Sequence, residues 1–232
     1  KAVLNTCKAL EKEGFEVTYV GVDKYGRVNP KDIEKAVKKD TILVSIMYAN
    51  NEIGTVQKIP EIAKAAKAAN KGIFFHTDAC QASGMLTLDT KKLGVDLMTI
   101  NGSKMYGPKG TGVLFKKTGI KIEPVIYGGG QEENLRGGTE NMPGIIGLAK
   151  ALELAEKNHE KESIRLKKLS KKLTNGIFKN IPKVILNGHP EDRLPNNVNI
   201  SFLDVEGESI MLYLDKYGIC VSTGSACTSD SF

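Results

Sequence analysis

The 232-residue chain is long enough for a substantial hydrophobic core in one large domain or two unequal ones. Apolar residues make up 41% and charged residues 26%, which is ordinary for a globular enzyme and excludes a disordered chain. The net charge is +6, but the lysines are spread along amphipathic stretches without interleaved aromatic residues, so we expect no nucleic-acid binding. No apolar run approaches the ~20 residues of a membrane-spanning helix, and we expect no membrane association.

The first half of the chain alternates between helical and strand patterns. Helices are predicted at residues 1–13, 31–38 and 60–70, and strands at 15–20, 41–47, 73–76, 95–100 and 112–115. This alternation predicts an α/β fold with a mainly parallel sheet and helices on both faces. Ligands of such sheets bind beyond the carboxyl ends of the strands, and the polar motifs of this chain follow those ends.

The second half has a different pattern. A long helix is predicted from about residue 143 to 180, followed by strands at 183–186 and 197–202 and a helix at 209–217. We therefore place a domain boundary near residue 155. Residues 1–155 are expected to form part of a large domain that carries the ligand-binding strand ends, and residues 156–232 part of a smaller C-terminal α+β domain.

The four cysteines are Cys7, Cys80, Cys220 and Cys227, and they include no C-x-x-C pair. Neither a zinc ribbon nor a disulfide scaffold is expected, and without a visible secretory signal reduced thiols in a cytoplasm are predicted. Cys7 and Cys220 have apolar neighbours and are expected in the core. Cys227 lies among small polar residues, where an exposed nucleophilic thiol and an incidental one are both possible.

The segment His76–Cys80 lies at the end of a predicted strand and has three interpretations. His76, Asp78 and Cys80 could share one face of a strand and bind a metal, but the strand is expected to end near Asp78 and no fourth ligand is visible. Asp78 could instead pair with a cationic ligand such as a protonated pyridine nitrogen. It could also simply cap the following turn.

A lysine, Lys104, follows the next predicted strand and precedes a turn-forming G-P-K-G segment. A lysine in a partly dry site can attack a carbonyl group, and its pairing with Asp78 suits pyridoxal phosphate. Asn51 follows another strand, where it could be a turn residue or bind a ring hydroxyl or carboxylate. The glycine-rich residues 128–131 and 135–139 are anion-binding candidates or only loops, and they lack the ending of a P-loop.

Together these motifs resemble the NifS/IscS-like cysteine desulfurases of the class V aminotransferase family. The resemblance covers essentially the whole chain and includes NNEIGTVQ, HTDACQA, SKMYGPKG, GGGQE, LRGGT and S-x-G-S-A-C-T-S around Cys227. It implies a fold type I pyridoxal-phosphate-dependent transferase that converts L-cysteine to L-alanine. It also implies that the sulfur passes as a persulfide on Cys227 to an acceptor, such as an iron–sulfur scaffold, or to thio-cofactor assembly.

The resemblance also implies site residues. Lys104 would carry the cofactor and shuttle protons, Asp78 would pair with the pyridine nitrogen, and Gln81 would lie near the ring hydroxyl. Asn51 would lie near the ring or the substrate carboxylate. Thr139 would reach the phosphate of the partner subunit's cofactor, which implies a homodimer.

The chain departs from the family pattern next to Lys104. The family has S-x-H-K there, whereas Asn101 and Ser103 occupy the serine and histidine positions, and both can still hydrogen-bond a phosphate. Family members also extend beyond both Lys1 and Phe232, so the chain is expected to be a central portion. Selenocysteine lyase, another reaction of the class V aminotransferase type and a non-catalytic sulfur-transfer scaffold remain alternatives.

Overall fold

A computed structural model describes residues 1–224 of the chain, which form an α/β fold. The helices are α1 (Ala2–Lys12), α2 (Pro30–Ala36), α3 (Ile59–Ala69), α4 (Thr90–Leu93), α5 (Met142–Asn180) and α6 (Gly207–Asp215). The strands are β1 (Leu43–Met47), β2 (Phe74–Asp78), β3 (Leu97–Asn101), β4 (Gly112–Lys116), β5 (Val184–Leu186) and β6 (Ile200–Phe202). No helix among these residues is both long and apolar enough to cross a membrane.

The main sheet has the order β1-β2-β3-β4. Strands β1, β2 and β3 are parallel, and β4 is antiparallel to β3. The predicted α/β class and mainly parallel sheet are therefore confirmed. Because the three parallel strands are neighbours, their carboxyl ends lie side by side at one edge of the sheet.

The core forms where α3 packs on β2. Apolar residues of α3 recur at helical spacing, and Ile59, Ile62 and Ala66 are fully buried. In β2 the side chains alternate, so Phe75 and Thr77 are buried with this core. The intervening side chains, His76 and Asp78, point to the other face and are only half-buried.

Helix α5 joins the main sheet to the C-terminal elements. It is continuous across residue 155, and the domain boundary predicted there remains a prediction. Its first part packs against the short 3₁₀ turn Gly102–Met105, which follows β3. After α5, β5 and β6 form a separate antiparallel pair before α6, as expected for an α+β portion.

Two expectations about residues outside the candidate site are wrong. Residues 15–20 form no strand, and both Phe15 and Tyr19 are about half exposed. Their apolar character matched a strand pattern, but a strand also requires a hydrogen-bonding neighbour, and no described strand pairs with them. Cys220, expected in the core, is exposed, because the segment after α6 does not pack its apolar side chains inward.

Candidate active site at the strand ends

Three parallel strands bring predicted site residues to the same edge of the sheet. Strand β1 leads to Asn51, β2 ends at Asp78, and β3 leads through the 3₁₀ turn to Lys104. Asp78 lies opposite Met47 of β1 and Thr99 of β3 in the strand register. The arrangement follows from the parallel topology, which places consecutive strand–turn junctions side by side.

Asp78 and Lys104 both act electrostatically on the thiol of Cys80. The Asp78 Oδ1 atom accepts a hydrogen bond from the backbone N–H of Cys80 at 3.0 Å. Burial, together with a side-chain hydrogen bond to Asp78 and the negative charge of Asp78, raises the pKa of the Cys80 thiol to about 12, while the positive charge of Lys104 opposes this shift. Cys80 thus lies within electrostatic reach of both Asp78 and Lys104.

The turn that carries Lys104 begins with a side-chain cap. Asn101 Oδ1 accepts hydrogen bonds from the Ser103 backbone N–H at 2.8 Å and from Ser103 Oγ at 2.6 Å. Asn101 and Ser103, which replace the family serine and histidine, are thus hydrogen-bonded to each other. Lys104 is exposed, so residues 1–224 do not supply the partly dry surroundings expected for it.

Glycine at position 102 lets this turn pack tightly. A Cβ atom at Gly102 would lie 2.3 Å from Thr111 Oγ1 and 3.2 Å from Leu148 Cδ1 of α5. A larger residue would force either the Thr111 side chain or the turn itself to move. The position of Lys104 therefore depends on contact between the turn and α5.

Asn51 lies in a turn formed by residues 50–55, which we call the 50–55 turn. Asn50 Oδ1 accepts hydrogen bonds from the backbone N–H groups of Glu52 at 2.8 Å and Ile53 at 3.0 Å. This Asx-type cap explains why asparagine precedes Asn51 in the sequence. Asn51 is half-buried, and it lies in sequence between Asn50 and the two residues that Asn50 caps.

The remaining predicted residues occupy different places. Gln81 is half-buried in the turn after β2, close in sequence to Asp78. Thr139 is exposed in the segment before α5 and shares no strand end with the other predicted site residues. Cys227 lies outside the described residues.

His76 forms a polar bridge across the sheet, which sequence reasoning missed. Its Nδ1 lies 2.8 Å from Ser45 Oγ and its Nε2 lies 2.9 Å from Thr99 Oγ1. Burial lowers the pKa of His76, and the charge of Asp78 partly offsets that shift. The three residues stand on adjacent strands at positions facing the same side, so strand alternation was the signal that could have revealed the bridge.

The bridge also bears on the alternative of a metal at this strand. Both ring nitrogens of His76 have hydroxyl partners, and Cys80 lies beyond the end of β2. Among residues 1–224, no group of three or more histidine, cysteine, aspartate or glutamate side chains is arranged to hold a metal ion.

The fold and this edge define an α/β protein whose candidate site lies at the carboxyl ends of neighbouring parallel strands. The family model for class V aminotransferases matches residues 1–231. The chain belongs to the class V aminotransferase family, as the motifs predicted.

Individual relatives and solved structures agree with this assignment. The chain is 54% identical over 230 residues to cysteine desulfurase IscS of Methanosarcina thermophila, covering 99% of the chain and 56% of the relative. It is equally identical to the protein of the same name from Dictyoglomus turgidum, covering 99% of the chain and 58% of the relative. The chain thus spans less than two thirds of the length of both relatives.

Solved structures share the fold. A NifS-like protein superposes with a TM-score of 0.91 at 41% identity, covering 96% of this chain and 60% of that one. SspA in complex with cysteine superposes with a TM-score of 0.80 at 33% identity, covering 99% of this chain and 62% of that one. The fold is that of fold type I pyridoxal-phosphate-dependent transferases, as predicted.

Proposed function

We propose that the protein containing this chain is a cysteine desulfurase that converts L-cysteine to L-alanine with pyridoxal phosphate. The observation that carries the proposal is the meeting of the strand ends leading to Asn51, Asp78 and Lys104 at one sheet edge. The names of the two relatives that are 54% identical support the same activity. The solved structure of SspA in complex with cysteine supports the choice of substrate.

The chemistry of the strand edge fits pyridoxal phosphate. Asp78 is a half-buried carboxylate at a strand end, which suits a protonated ring nitrogen, and Lys104 offers an amine at the neighbouring strand end. Asn101 and Ser103 would contact the phosphate and Gln81 the ring hydroxyl. When bound, the cofactor supplies an electron sink for reactions at the α-carbon of an amino acid.

The roles of the protein groups follow from their chemistry. Lys104 would hold the cofactor and move a proton at the substrate α-carbon, while Asp78 would pair with the protonated ring nitrogen. The Cys227 thiolate attacks the sulfur of the substrate, so a sulfur–sulfur bond forms as the carbon–sulfur bond breaks. The electron pair of the broken bond stays with the carbon fragment, which takes up a proton and leaves as alanine. Cys80 is unsuited to this attack, because the raised pKa of its thiol keeps it protonated near neutral pH.

The persulfide on Cys227 then passes to an acceptor protein, such as an iron–sulfur scaffold, or to thio-cofactor assembly. We further propose that the working form is a homodimer, in which Thr139 would contact the phosphate of the cofactor bound by the partner subunit. We place the protein in the cytoplasm, where reduced thiols persist.

The cofactor assignment is tested on the complete protein incubated with pyridoxal phosphate and reduced with borohydride. We expect mass spectrometry to find a cofactor adduct on the peptide containing Lys104. The Lys104→Ala variant serves as the control and gives no adduct on that peptide. A wild-type protein without any adduct would contradict the enzyme proposal and favour a non-catalytic scaffold.

The reaction is tested with the Cys227→Ser variant of the complete protein. We expect this variant to keep the cofactor adduct but to lose sulfide release from cysteine and persulfide on the enzyme. Sulfide release at the wild-type rate would remove Cys227 from the reaction. That result would favour a different class V reaction.

A further inference from the structure

A second segment, far away in the sequence, holds the turn that contains Asn51. Residues 187–199, which we call the arm, connect β5 to β6. The arm lies along the 50–55 turn, with Leu194 N–H donating to the Gly54 carbonyl at 2.8 Å and Val56 N–H donating to the Asp192 carbonyl at 3.0 Å. The two segments are more than 130 residues apart, so tertiary structure alone joins them.

Two asparagines of the arm donate to the same carbonyl oxygen of the turn. Asn197 Nδ2 lies 2.9 Å and Asn199 Nδ2 lies 3.1 Å from the Glu52 oxygen. Arg193 Nη2 donates to the Ile53 oxygen at 3.3 Å and also to Asn197 Oδ1 at 3.0 Å. The arm thereby binds the two residues that directly follow Asn51.

The contact is close enough to require glycine on both sides. A Cβ at Gly54 would lie 2.6 Å from Asn197 Oδ1, and a Cβ at Gly188 would lie 2.2 Å from the Ile53 oxygen. Both glycines also have positive φ angles, of 74° and 80°. The turn and the arm are therefore complementary in shape as well as in hydrogen bonding.

The residues on both sides of Asn51 in the sequence are held by these interactions. Asn50 caps the turn from its start, and the arm holds Glu52 and Ile53 from the other side. The chain leading into this turn is tied to the candidate site, because Tyr48 N–H donates to the Asp78 carbonyl at 2.7 Å. A shift of the Glu52 carbonyl would therefore move Asn51 relative to Asp78.

We propose that Asn197 and Asn199 are positioning residues, which hold the Glu52 carbonyl and so set the Asn51 amide at the active-site edge. This inference rests on the proposed function for its catalytic consequence, but the physical restraint on the turn is independent of that function. Arg193 supports the pair by orienting Asn197.

The test uses Asn197→Asp and Asn199→Asp, singly and together, in the complete protein. Each change keeps the size of the side chain but removes its donor to Glu52. The acceptor function remains, since Asn197 Oδ1 accepts from Arg193 and Asn199 Oδ1 accepts from Asn187. Asn158→Asp is the matched control, because this amide also donates to a carbonyl, that of Leu154 at 2.8 Å in α5.

Hydrogen exchange measures the restraint directly. We expect amides of residues 50–55 to exchange at least about fivefold faster in the double variant, while those of β2 and the control variant are unchanged. Unchanged exchange in the turn would overturn the proposal. Hydrogen exchange of the turn can be measured whether or not the protein is a desulfurase. Failure of the proposed function is recognised separately, because the wild type would then show no turnover of cysteine.

Kinetics with cysteine measure the consequence in an active wild type. We expect the double variant to raise KM about tenfold with kcat within about twofold, as the loss of a positioned binding group predicts. In an Asn51→Ala background the same two changes should have no further effect, because they act through Asn51. If the two changes raised KM by the same factor in the Asn51→Ala background as in the wild type, the positioning role would be contradicted.

Discussion

His76 is held between two hydroxyl groups on neighbouring strands, and its surroundings decide which form of the imidazole the fold accepts. The neutral ring has one N–H donor and one acceptor, which two rotatable hydroxyls can satisfy. Burial lowers the pKa of His76, and the negative charge of Asp78 works against that shift without cancelling it. The folded protein therefore favours neutral His76 more strongly than the unfolded chain does.

This preference predicts a pH dependence of stability. As the pH falls below 6.5, the ordinary pKa of histidine, unfolded His76 binds a proton that the folded protein resists, and the free energy of unfolding decreases. His76→Gln should flatten this decrease, because glutamine does not titrate. Urea unfolding of both proteins at a series of pH values measures the slopes. Equal slopes would show that burial of His76 does not govern this range.

The cysteines differ in their surroundings, and this predicts an order of reactivity. Cys80 is half-buried beside Asp78 with a thiol pKa of about 12, whereas Cys220 is exposed. Since the thiolate is the reactive form, iodoacetamide near pH 8 should label Cys220 at least about tenfold faster than Cys80. Mass spectrometry of the two peptides over time measures the rates. Faster labelling of Cys80 would contradict its protonated state.

At the scale of elements, α5 positions the lysine turn through small residues on one side. Gly147 approaches Pro108, and Ala151 approaches Gly107, so the backbone after Lys104 lies close to the helix. Farther along the same helix, Gly176 is exposed and has open space around its Cα. One helix therefore contains a glycine at which an added Cβ would clash and a glycine at which an added Cβ would meet open space.

The two glycines predict opposite effects for the same substitution. Gly176→Ala should raise the free energy of unfolding by about 1 kcal/mol, because alanine favours a helix. Gly147→Ala should lower it by about 1–3 kcal/mol, since the new Cβ would lie 2.7 Å from Pro108 Cγ. Chemical denaturation measures both changes. Stabilisation by both substitutions would show that the turn moves freely away from α5.

Sequence patterns correctly predicted the elements whose local periodicity matches their burial. The apolar run at 41–47 became β1 at Leu43–Met47, and the alanine-rich segment became α3, because local periodicity and burial agree there. Asp78 and Lys104 could be placed at strand ends for the same reason. The failed strand at 15–20 had the composition but depended on a pairing partner that composition does not reveal.

Contacts between distant segments were beyond reach of the sequence. Arg193, Asn197 and Asn199 lie in a polar loop with no periodicity, and their partners are more than 130 residues away. Exposure of Lys104 was likewise unpredictable, since it depends on how the surrounding elements pack. Local pattern and the family motifs thus predicted the residues of the candidate site, while the contacts that hold the turn around Asn51 required the folded structure.

At the scale of the whole molecule, the arm also binds the segment before α2. Arg27 donates to Asp192 Oδ2 at 2.5 Å and to the Val56 carbonyl at 3.4 Å, and its Nη1 lies 3.2 Å from His189 Nε2. The Arg27 side chain is only 16% exposed, whereas that of Asp192 is 53% exposed. The segment before α2, the residue that follows the 50–55 turn and the arm are therefore joined through one guanidinium group.

This asymmetry predicts unequal effects of removing the two partners. Asp192→Asn should cost less than about 1 kcal/mol, because the carboxylate is half exposed and solvent screens the pair. Arg27→Gln should cost about 1–3 kcal/mol, since several partly buried acceptors lose their donor.

Arg27 lowers the pKa of Asp192, chiefly by hydrogen bonding, so this contribution is present above pH 3.8 and lost as the pH falls through the folded pKa. Denaturation of wild type and Asp192→Asn should therefore converge in acid, and a constant difference at all pH values would contradict the ion pair.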